Sequence, residues 1–119
     1  LEKAEDGSFI LDLILEGAPD LAVELDLAWI AVGGEDPVAW IEKYSDRLVA
    51  AHIKDIASKG ECEDEDGWAD VGYGTMNFAA IRDALARSRN RFLVLEHDNP
   101  SDNTRFAKRS IETVKKLWG

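Results

Sequence analysis

Apolar and polar positions along the chain change period several times, and each change marks an element. Residues 8–16 (SFILDLILE) place Phe9, Leu13 and Glu16 on one helical face with Ile10 and Ile14 beside it, and Gly17 and Pro19 end the run. Residues 21–26 (LAVELD) are short, apolar and end in acid, which predicts a strand. Asp36 followed by Pro37 marks a helix start, because proline at the first position loses no needed hydrogen bond; Val38, Ile41 and Tyr44 follow at helical spacing. Residues 47–53 (RLVAAHI) predict a second strand, and residues 56–75 a long loop. Asn77 opens a helix with Phe78, Ile81 and Leu85 on one face. Residues 91–96 (RFLVLE) predict a third strand. Asp102 or Asn103 caps a last helix whose expected apolar face is Ala107, Ile111, Val114 and Trp118.

The order is a helix followed by three strand–helix units. That alternation implies a parallel sheet covered by helices, and near-continuously apolar strands suit burial on both faces. Three strands cannot close a (β/α)₈ barrel, which normally takes about 250 residues. The alternatives are an open three-stranded sheet and the last three-eighths of a barrel, with residues 1–119 forming one partial domain. The chain opens at Leu1 without an initiator Met, so an upstream segment is expected.

Composition narrows the partners. With 45% hydrophobic and 32% charged residues the chain is expected to be globular and soluble. A formal net charge of -10 repels phosphate backbones and anionic membranes, so neither nucleic acid nor membrane is expected as a partner. One cysteine, Cys62, permits no internal disulfide, which fits a reducing cytoplasm. It reads as a plain loop cysteine.

The candidate chemistry lies at the strand ends: Glu24-Leu25-Asp26, His52-Ile53-Lys54-Asp55 and Glu96-His97-Asp98. Ligand sites of parallel α/β folds lie at the carboxyl ends of strands. Two carboxylates and an imidazole suit Mn²⁺, Co²⁺, Zn²⁺ or Mg²⁺. Period-two alternation turns His97 away from this set, puts Asp98 on the side of Glu96, and turns Glu24 inward below Asp26, where it needs a partner. Each residue also has a plain structural reading: a cap for Asp26 or Asp55, a core imidazole for His52, an ion pair of Glu96 with Lys54 or Arg47. The loop over 56–75 leaves the same face and reads as a lid. Its Glu61–Asp66 run is a solvated acidic stretch without the EF-hand spacing, and Gly72-Tyr73-Gly74 is a turn or a backbone nest for phosphate.

Taken together, VELDLAWIAVGGEDPVAWIEKYSDRLVAAHIKDI, DVGYGTMNFAAI and FLVLEHDN resemble, in order, the sugar phosphate isomerase/epimerase family of xylose isomerase-like barrels. The resemblance runs from about residue 20 to the C-terminus. It implies that Asp26, His52 and Glu96 are metal ligands from the sixth, seventh and eighth strands of a TIM barrel. The fourth ligand, usually a glutamate on the fifth strand, would lie upstream of Leu1. Glu96 would also be the catalytic acid/base, working with that upstream glutamate. Trp29, Lys54 and Asp55 would bind substrate; Trp29 stands where sugar epimerases often carry a histidine. The implied activity is isomerisation or epimerisation of a small sugar, sugar phosphate or cyclitol by proton transfer through a metal-stabilised enediolate. The alternatives are an inosose dehydratase-like lyase and a non-catalytic barrel fragment. That fragment would associate with itself or with a missing N-terminal barrel portion, because its edges would be open and Val23 and Val94 exposed. An endonuclease IV-like enzyme would need more than two histidines and a less acidic chain.

Overall fold

In the computed structural model, which describes residues 1–119, β1 (Val23–Asp26), β2 (Leu48–Ile53) and β5 (Phe92–Leu95) form one parallel sheet in the order β1-β2-β5. Asp26 stands beside His52, and His52 beside Val94, so the polar strand ends share one level. The helices are α1 (Ile10–Gly17), α2 (Leu27–Val32), α3 (Pro37–Lys43), α4 (Phe78–Ala86) and α5 (Asn103–Trp118). One face of the sheet is packed with Leu25, Ala51 and Ile53 against Ile41, Phe78, Ile81 and Leu85 of the helices. The expected α/β architecture of three parallel strands alternating with helices is observed.

Local chemistry accounts for most boundaries. The side chains of Asp36, Asn77 and Asp102 accept from Val38 N, Ala80 N and Arg105 N, each satisfying an orphan donor at a helix start. The Arg47 guanidinium closes the other end of α1, donating to the carbonyls of Leu15, Ala18 and Leu21. Trp40 is buried, its ring edge-on to Phe9 at 5.0 Å.

The structure departs from the expected pattern at four places. Residues 27–32 (LAWIAV) form α2, a short helix directly on the end of β1; their continuous apolar run carries no helical period to read. Within 56–75, β3 (Asp55–Ile56) pairs antiparallel with β4 (Trp68–Ala69), and residues 63–65 make a 3₁₀ turn, so this segment is a folded hairpin. The buried side of α5 runs through Phe106, Ser110, Val114 and Leu117, while Ala107 and Ile111 face solvent. Fully buried Ser110 accepts from Val71 N, and that polar contact sets the rotation of the helix. Finally, Val23 is buried, because it precedes Glu24 by one residue and so points to the helix-covered face. Val94 and Phe92 are exposed on the other face, Phe92 by 63%.

The hairpin is tied down by Asp55. Its carboxylate, 1% exposed, accepts from the backbone N–H groups of Ile56, Gly72, Gly74 and Met76. The Gly72-Tyr73-Gly74 turn does form a nest, and the anion in it is the protein's own. A Cβ on Gly74 would lie 2.3 Å from the Ile56 carbonyl oxygen and 2.5 Å from Asp55 Oδ1. Gly74→Ala is therefore expected to cost about 2 kcal/mol, through clash and loss of these hydrogen bonds, as read by urea unfolding.

Candidate metal centre

β1, β2 and β5 deliver three side chains to one point. One ligand atom each from Asp26, His52 and Glu96 lies within 4.8 Å of the others. The two oxygens of Asp26 are divided between tasks. Oδ1 accepts from Trp29 N and caps α2, while Oδ2 faces His52 Nδ1 at 3.5 Å and Lys54 Nζ at 3.1 Å. The cap read for this residue is observed, and it leaves Oδ2 turned to the cluster.

His52 is held from behind. Its Nε2 sits 2.7 Å from Glu24 Oε1; Glu24, expected to point inward and be buried, is instead 56% exposed on the uncovered face of the sheet. Nδ1 then points at Glu96 Oε2. These two atoms are buried and pair directly, and Lys54 Nζ lies 3.6 Å from the same Glu96 oxygen. An imidazole nitrogen this close to two carboxylates is held there by a positive charge, either a proton on the ring or a shared cation. Burial lowers the His52 pKa, but hydrogen bonds from the ring to Glu24 and Glu96 and the charges of Glu96 and Asp26 outweigh it, and the net shift is upward. The site therefore favours positive charge. One imidazole and two carboxylates fit a divalent ion of the Mn²⁺, Zn²⁺ or Mg²⁺ kind.

Lys54, 1% exposed, extends into the same cluster. Its Nζ lies 2.7 Å from Asp98 Oδ1 and 3.6 Å from Glu96 Oε2, beside the contact with Asp26. It also sits 4.8 Å and 5.7 Å from the ring centroids of Trp68 and Trp29. Burial lowers its pKa; the hydrogen bonds to Asp98 and Asp26 reverse this, and the net shift is upward. Lys54 was expected to reach substrate, and the structure gives it three carboxylate neighbours. Asp55 has only backbone partners, in the hairpin described above. Trp29 is 49% exposed and meets Trp68 edge-on at 5.0 Å.

A second cluster, unread in the sequence, holds the hairpin against α5. Arg105 forks between Glu65 (2.7 and 2.9 Å) and Asp70 (2.8 and 3.2 Å), both carboxylates being almost fully buried. Ser101 N adds a 2.6 Å bond to Glu65, and Arg109 reaches Asp70 at 3.1 Å. His97, turned away from Asp26, His52 and Glu96 as expected, is buried against Phe106 and accepts from Asn99 N. Hydrogen bonds from Ser101 and then Arg105 bring the Glu65 pKa down to about 2. A carboxyl depressed in the folded state stabilises the fold above its unfolded pKa and loses that contribution as pH falls. Glu65 is therefore expected to cost the protein on the order of 1 kcal/mol by about pH 3.5, and more below. Urea melts between pH 7 and pH 3 check this, since the stability gap between wild type and Glu65→Gln should narrow on acidification. Nearby Cys62 has its thiol pKa raised by burial and by Glu65, Asp64 and Glu61, so nothing activates it.

The fold and this strand-end cluster define part of a (β/α)₈ barrel with its polar centre at the carboxyl ends of the strands. No family model matches the sequence, and no curated protein matches it. Solved structures do. The chain is similar to two described as sugar phosphate isomerase/epimerase from Parabacteroides distasonis. One shows 28% identity and a TM-score of 0.71 over 96% of this chain, the other 26% and 0.69 over 96%. The family resemblance read from the strand-end motifs thus holds in three dimensions. This chain spans 38% and 40% of those two proteins' lengths.

Proposed function

We propose that Asp26, His52 and Glu96 hold a divalent cation in an isomerase or epimerase acting on a small sugar, sugar phosphate or cyclitol. The observation that carries this is the convergence of one ligand atom each from Asp26, His52 and Glu96, on three adjacent strand ends, within 4.8 Å of one another. When bound, the ion would supply Lewis-acid stabilisation to negative charge developing on adjacent substrate oxygens, as an enediolate requires. The rest falls to the chain's own residues. Glu24 fixes the His52 ring through Nε2, leaving Nδ1 as the ligand atom. Glu96, more exposed than Asp26 and on the open face of the sheet, is the group that takes and returns a proton at carbon. Lys54 holds Asp98 and Asp26 in place and balances charge that would otherwise drive the carboxylates apart. The Trp29 ring offers a sugar an apolar surface.

A dehydratase would use the same ligands and the same stabilised charge, so product analysis separates it from an isomerase. The open edges at β1 and β5, with Phe92 and Val94 of β5 exposed on the uncovered face, support a second element of the proposal. In the working protein these surfaces are covered by further strand–helix units or by another copy of the chain. The test is Mn²⁺ binding by electron paramagnetic resonance, with the wild type expected to take up one ion per chain. An absence of binding at millimolar Mn²⁺ would remove the reading. For the covered surfaces, sedimentation of the chain alone should show concentration-dependent association, and a monodisperse, cooperatively unfolding monomer would contradict them.

A further inference from the structure

The largest cavity lies beside the metal cluster. It measures about 720 Å³, well within the range of small-molecule sites. Its apolar wall is Trp29, Val32, Ile56, Ala57 and Trp68, and Asp98 links it to Lys54 and the ligand cluster. Its charged lining is Lys59 against Glu61, Glu63, Asp66 and Asp98, one cation against four carboxylates, with no arginine. Lys54 lends no free charge, because Asp98 and Asp26 already hold it.

Resting on the metal-dependent reading above, we infer that this cavity selects a neutral polyhydroxylated ring or chain and rejects its phosphate ester. Sugar C–H faces pack on the two tryptophans, and the carboxylates and loop carbonyls accept from hydroxyls. Such acceptors have nothing to offer a phosphate. A dianion placed among four carboxylates and a single ammonium meets net repulsion, and the acidic chain as a whole adds to it. The folded hairpin gives this wall its permanence, since Arg105 and Asp55 fix the segment that carries Trp68. Specificity then comes from what the pocket repels as well as what it binds.

The experiment uses the full chain loaded with Mn²⁺ and follows tryptophan fluorescence at low salt during titration with D-fructose and with D-fructose 6-phosphate. Fructose is expected to bind at least about tenfold more tightly than its phosphate, with the gap shrinking in salt. In the double variant Glu61→Lys/Glu63→Lys the phosphate is expected to gain at least about tenfold relative to fructose, and an unchanged ratio overturns the inference. Phosphate binding as tight as fructose in the wild type, or no response to either sugar, overturns the inference. If Mn²⁺ itself fails to bind, the metal reading falls separately, and the order of the two sugars on the metal-free chain still decides this one.

Discussion

Replacing His52 with alanine is expected to weaken Mn²⁺ binding about 100-fold or more, because loss of a ligand costs at least as much as loss of the groups that orient one. Titration by electron paramagnetic resonance reads the change directly. The argument rests on how β2 presents the ring. Glu24 engages Nε2, and Nδ1 is turned to the carboxylates of Asp26 and Glu96. Removing the imidazole takes away the only nitrogen among the three candidate ligands and frees Glu24 as well. Asp26 needs a more careful substitution, since its Oδ1 also caps α2. Asp26→Ser keeps a good cap and loses the carboxylate, so metal affinity should fall while α2 keeps its start, at the cost of one of the carboxylate partners of Lys54. Metal affinity that survives both substitutions would show that the ion, if any, sits elsewhere.

The second large effect belongs to Lys54. Lys54→Met is expected to destabilise the metal-free protein by about 3 to 4 kcal/mol, and Mn²⁺ is expected to restore much of that loss. The ammonium is buried among Asp26, Glu96 and Asp98, so its removal leaves three carboxylates facing one another with only the His52 ring beside two of them. A divalent ion replaces that charge. Thermal melts in EDTA and in excess Mn²⁺ provide the comparison. An equal loss under both conditions would mean that Lys54 contributes packing alone.

How much of this was legible in the sequence depended on range. Helix starts at Asp36, Asn77 and Asp102 are local events, with acceptor and donor two or three residues apart, and they appear where the sequence places them. The parallel sheet follows from three short apolar strands separated by helices. Strand parity correctly turned Glu24 and His97 to opposite sides, but not the identity of Glu24's partner, which lies 28 residues away. The β3–β4 hairpin was hidden because each strand has two residues and its anchors are distant: Asp55 to the Gly72–Met76 turn, and Arg105 to Glu65 and Asp70. Asp55 shows the limit most clearly. A carboxylate after a strand suggests substrate contact, and only the fold reveals that four backbone amides already occupy it.

Asp26, His52 and Glu96 either share one ion or they do not. Crystals soaked in Mn²⁺ and measured near the manganese absorption edge decide the matter. The account predicts a single anomalous peak within bonding distance of one Asp26 oxygen, one Glu96 oxygen and His52 Nδ1. An empty cluster, or a peak only among the carboxylates of the Glu61–Asp66 turn, would contradict it.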